Sequence, residues 1–75
     1  MDLQYELGRV AQVNRDIEAA NARIAELVSE ANKLERVGQD VSAIKVTLKR
    51  CHAIVDHMVR ERDKLTLMIA KMLLQ

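Results

Sequence analysis

One stretch of this 75-residue chain gathers the groups that could do chemistry: "KRCHAIVDHMVRER", Lys49 to Arg62. It holds the single cysteine, Cys51, both histidines, His52 and His57, and the acids Asp56 and Glu61. A thiolate beside an imidazole can act as a nucleophile. Thiolate, imidazole and carboxylate can also hold zinc, provided that they converge. On a helix, His52 shares a face with Asp56, and His57 with Glu61, because each pair is four residues apart. Cys51 and His57 are separated by about 240° around the axis, and the two histidines by about 140°. The ligands therefore diverge. No pocket or oxyanion donor is suggested nearby. We expect no catalytic residue, no metal site and no cofactor, and we read Cys51 as a small buried hydrophobe.

The elements that carry these residues follow from periodicity. From Leu3, positions three and four apart read Leu3, Glu6, Val10, Val13, Ile17, Ala20, Ile24, Leu27, Ala31, Leu34. A 3-4 repeat held over more than four heptads is a coiled-coil seam. Leu3, Val10, Ile17, Ile24 and Ala31 take the a positions. A second series starts at Val41: Val41, Ile44, Leu48, Cys51, Val55, Met58, Arg62, Leu65, Ile69, Met72. The two series are out of phase by three residues, and the slip falls on Gly38-Gln39-Asp40.

A stammer inside one continuous coil could shift the register. The local chemistry favours a turn instead. Gly38 suits the left-handed position that ends a helix. Lys33 and Arg36 lie in the last turn, where cations complement the helix dipole. Asp40 is a good N-cap for a helix starting at Val41. The expected fold is all-α, an antiparallel two-helix coiled-coil hairpin in one domain: helix about 2–37, turn about 38–40, helix about 41–74. Each arm would be ~50 Å long. Folding at the turn sets Leu34 by Ile44, Leu27 by Cys51, Ala20 by Met58 and Val13 by Leu65.

Two helices bury one stripe each, and this sequence has more apolar surface than that. Leu7, Ala11, Ala25 and Val28 flank the first seam. Val46, Ala53, Ile54, Leu67, Met68 and Leu74 form a further stripe on the second arm, with Val59 and Leu73 on its other flank. We expect these residues to meet a partner and complete a four-helix or larger bundle. The partner would be a second copy, giving a homodimer or higher oligomer, or a helix of another protein. The end where Leu65 to Leu74 rejoins Leu3, Tyr5 and Leu7 is apolar nearly all round, which calls for burial on every side.

Polar residues interrupt the pattern at one level. Arg62 breaks the second seam, opposite the layer of Ile17 and close to Asn14, Asp16 and Asn21. Such a polar layer can fix register and oligomer state. Alternatively, Arg62 extends its head to water out of a loose seam.

Composition bounds the function classes. Proline, tryptophan and phenylalanine are absent, there is one tyrosine, and the net charge is +1. An aromatic-lined pocket and base stacking are disfavoured. Residues 1–38 carry seven acids and five bases, and residues 39–75 four acids and seven bases. The basic bias of the second helix permits RNA contact as the alternative function, although Asp56, Glu61 and Asp63 interleave with the bases. The opening "MDLQYELGRV" lacks a basic region followed by an apolar run, so no signal peptide is expected. The apolar run "LTLMIAKMLL" is far short of the ~20 residues that cross a bilayer, and with one lysine, Lys71, it has little to hold a membrane surface. One cysteine suits the cytoplasm. The expected function is non-enzymatic: an oligomerising assembly subunit, adaptor or small chaperone-like protein that binds an apolar helix.

Overall fold

The computed structural model describes residues 2–75. Two helices, α1 (Leu3–Arg36) and α2 (Ser42–Leu73), pack against each other as a helical hairpin. The molecule measures 59 × 15 × 14 Å. Its length is close to the expected arm, and it is built to bury one stripe.

The seam is the part of the chain that leaves water. All twenty positions of the two 3-4 series are buried or half-buried, and among the other described residues only Val59, Glu61 and Met68 join them. Among the apolar residues, Ile17, Ile24, Leu27 and Ala31 of α1 meet the solvent least, together with Val41, Leu65 and Ile69 of the second arm. Strong helix formers occupy the surface positions, so propensity and pattern agree.

The turn is closed by a full Schellman arrangement. Gly38 takes a φ of 77°. The Gly38 N–H donates to the Glu35 carbonyl at 3.1 Å, and the Gln39 N–H to the Leu34 carbonyl at 2.9 Å. These two bonds satisfy carbonyls that the end of α1 would otherwise leave without partners. Two boundaries differ from expectation. Val37 and Val41 flank the helices rather than belonging to them. Val41 has φ −111° and ψ 15°, and its side chain offers no cap. Asp40 still supplies the cap, from one residue further out. Its Oδ1 accepts from the Ser42 N–H at 2.9 Å and from the Ser42 hydroxyl at 2.6 Å. The Lys45 N–H donates to the Val41 carbonyl at 3.0 Å, which starts the ladder of α2. At the other end, Asp2 Oδ1 accepts from the Gln4 N–H at 3.0 Å and caps α1.

Candidate functional site

Among the described residues, no large side chain is fully buried. The least exposed residues, Leu27 and Glu6, each keep 4% of their surface. The chain presents 5720 Å² to solvent. A compact protein of 8.5 kDa presents about 4700 Å². The excess, on the order of 1000 Å², is about one partner's share of a standard protein–protein interface.

That surface is apolar in particular places. Leu7, Val28, Val46, Ile54, Leu67, Leu73 and Leu74 are exposed, as are Tyr5 and Val37. Leu74 reaches 87% and Leu73 65%. Two residues assigned to this surface from sequence are less exposed than the rest: Val59 and Met68 are half-buried. Each is next in sequence to a seam residue, Met58 or Ile69, and is drawn under its edge. Val37 was missed because it was read as the last helical residue. As a cap residue it lies on neither seam.

The exposed apolar residues fall on different sides of the hairpin. In heptad letters, Leu7, Asn14, Asn21, Val28 and Glu35 are the e positions of α1, and Lys45, His52, Val59, Thr66 and Leu73 those of α2. Glu35 and Lys45 are joined at 3.3 Å, so the two e rows border the same side of the seam. Stepping by heptads from that bridge sets Val28 level with His52, Asn21 with Val59, Asn14 with Thr66 and Leu7 with Leu73. Ala11, Ala25 and Ala70, at b positions, extend this face outward. Val46, Leu67 and Leu74 are f positions on the back of α2, and Ile54 is a g position on the opposite flank. The c row between f and g carries Arg50, His57, Lys64 and Lys71. The single apolar patch expected from sequence is thus two: an e face charged at its turn end by Glu35 and Lys45 and edged on its b rows by Glu18, Lys49, Asp56 and Asp63, and an outer α2 face with a basic row through it.

The polar layer is narrower than its sequence reading. The Arg62 Nη1 donates to Asn14 Oδ1 at 3.5 Å, and its Nε and Nη2 to Asp63 Oδ1 at 3.4 Å. Asp16 is not a partner. It lies about 200° around the helix from Asn14, and its carboxylate accepts from Gln12 Nε2 at 2.9 Å. Asn21 is exposed on the same row as Asn14, one heptad away.

Glu6 is the polar seam residue that sequence reasoning undervalued. Arg9 Nη1 donates to its Oε2 at 3.2 Å, and the Arg9 guanidinium also lies 5.9 Å from the Tyr5 ring centre. The seam position itself was the signal, since a d residue is inward whatever its type. A groove near the C-terminal end of the second arm is lined by Met68, Lys71, Met72 and Gln75.

In the stretch that could do chemistry, Cys51 is half-buried in the seam, while His52, Asp56 and His57 are exposed. Among the described residues, no group of three His, Cys, Asp or Glu side chains is placed to hold a metal ion. Among the described residues, no helix is long and apolar enough to cross a membrane. Compared with known proteins, the chain matches no family model, no curated protein and no solved structure.

Proposed function

We propose that this hairpin is a non-enzymatic assembly module whose exposed apolar rows are covered by helices of another chain, so that a four-helix or larger coiled-coil bundle forms. One observation carries this reading. A two-helix chain with no fully buried large side chain leaves Leu7, Val28, Ile54, Leu67, Leu73 and Leu74 in water. Helices that bury one stripe cannot shelter such residues themselves, and a second pair of helices can. As an adaptor or small chaperone-like protein in the cytoplasm, it would recognise an apolar helical face of another protein. Light-scattering mass across a hundredfold concentration range, alone and mixed with a candidate helix, tests this. The expected result is a mass above that of one chain. A melting temperature that rises with concentration should accompany it. A monomer that binds no helix would sink the reading.

RNA binding is the second reading. The observation behind it is the basic c row of α2, where Arg50, His57, Lys64 and Lys71 lie a heptad apart. It is weakened locally because Lys64 is paired with Glu61 at 3.4 Å. Phosphate contacts would make such binding fall steeply with salt, whereas apolar helix binding would not.

A further inference from the structure

We infer that the e face is covered by a second copy of this chain, in a twofold dimer whose axis runs parallel to the helices and whose open ends lie together. The inference rests on the assembly reading and names the partner and the surface.

The face is graded along its length. At the open end the level row is Leu7 with Leu73. Next come Asn14 with Thr66, Asn21 with Val59, and Val28 with His52. At the turn end stand Glu35 and Lys45, opposite in sign and bridged within one chain. A twofold axis along the helices sets α1 of one copy antiparallel to α2 of the other at the same height. Leu7 then meets Leu73 of the second copy, Asn14 meets Thr66, and Glu35 meets Lys45. Every level keeps its own chemistry, and the ionic level at the turn gains a second, intermolecular attraction. Such self-complementarity is what a twofold interface requires, since residue i contacts j and j contacts i.

The reversed copy does not match. With full overlap it lays Leu7 and Leu73 on Glu35 and Lys45 of the other chain. Sliding by one heptad relieves that clash but uncovers part of both faces. The opposite flank is a poorer choice, because the g rows hold Arg9, Asp16, Arg23 and Glu30 on α1 and Glu61 on α2. Taken over the whole molecule, the excess surface of one chain is about what one partner contributes to a standard interface. The like-charged meeting is Glu18 with Asp63 of the second copy. Both are exposed at the rim, and Asp63 is already held by Arg62.

The test uses the full chain with Cys51→Ala. Ala11 and Ala70 are exposed b residues that this axis brings together between copies. With Ala11→Cys and Ala70→Cys, mild oxidation should give a covalent dimer in high yield. Ala11→Cys with Ala25→Cys reports the reversed arrangement slid by one heptad and should not cross-link. Light scattering should return twice the chain mass. Leu7→Glu with Leu73→Glu should weaken the dimer at least a hundredfold, and Ile54→Glu should leave it unchanged. A monomer, an intrachain 11–70 bridge or an 11–25 cross-link would overturn the inference. So would a dimer lost through Ile54→Glu, although it would leave the assembly reading intact. The cross-links contain no charge substitution, so they decide the matter even if the double-glutamate variant fails to fold.

Discussion

The two ends of the hairpin solve different problems with different completeness. At the turn, Gly38, Asp40 and Ser42 satisfy the free backbone groups within a few residues. Ala31 and Val41 are buried there, and Glu35 bridges to Lys45. At the open end the backbone is also capped, by Asp2. Its apolar surface is not closed. Leu73 and Leu74 stand in water, while a carboxylate, Glu6, sits inside the seam. Helix ends are closed by short-range hydrogen bonds, which neighbouring residues can supply. Apolar surface is closed only by area from elsewhere, and two helices have little to give.

The largest effects should separate core from unfinished surface. Leu27→Ala removes one of the least exposed side chains and should cost ~2–4 kcal/mol, most of the ~3–5 kcal/mol that a chain of this size gains from one core. In a lone hairpin, Leu73→Ala should change stability by less than about 0.5 kcal/mol. In an assembly that covers the open end it should cost ~1.5 kcal/mol or more, and its cost should depend on protein concentration. Urea unfolding of both variants at two concentrations makes the comparison. Equal, concentration-independent losses would abolish the difference between the ends.

Glu6 offers a sharper probe of the open end. Burying a carboxylate in an apolar seam costs desolvation that one half-exposed arginine does not fully return. Glu6→Leu should therefore stabilise the hairpin, by ~1–2 kcal/mol, and raise the urea midpoint. Destabilisation instead would show that the Glu6–Arg9 pair holds the end together.

The two glycines should respond with opposite signs. Gly38 needs a positive φ, and an added methyl group meets no atom within 4 Å, so Gly38→Ala should cost ~1–2 kcal/mol from backbone strain alone. Gly8 lies inside α1, exposed and also in open space, so Gly8→Ala should gain ~0.5–1 kcal/mol. A loss at Gly8 would mean that another backbone approaches it in an assembly. Thermal melts of both variants decide this.

The hairpin was legible in the sequence because seam positions are fixed by spacing, and spacing survives any choice of surface residue. The three-residue register slip located the turn for the same reason. Val37 and Val41 were misassigned because a β-branched residue reads as helical or flanking with equal ease. The capping geometry, with Asp40 reaching past Val41 to Ser42, is set by dihedral angles that the residue types permit but do not dictate. Asp16 was misplaced because closeness in number was taken for closeness around the helix. Glu6 was discounted as terminal, although register alone determined that it faces inward.

The smallest effect isolates the chemistry of the turn. The Ser42 hydroxyl, then the Ser42 N–H, hold the Asp40 carboxylate below the usual carboxylate range, with desolvation opposing them and Lys45 adding the smallest attraction. A group whose folded pKa is depressed contributes stability that is complete above its unfolded pKa, about 3.9 for aspartate. That contribution is lost as pH falls through the lower folded value. Asp40→Asn keeps a capping oxygen but cannot titrate. Its melting temperature should trail the parent by only a few degrees at neutral pH, on the order expected for a cap on so short a chain. The gap should hold steady down to about pH 5 and close as the pH falls below about 4. All other groups are the same in both proteins and cancel in the difference. A gap that stays constant down to pH 2 would show that Asp40 holds the turn by shape rather than by charge.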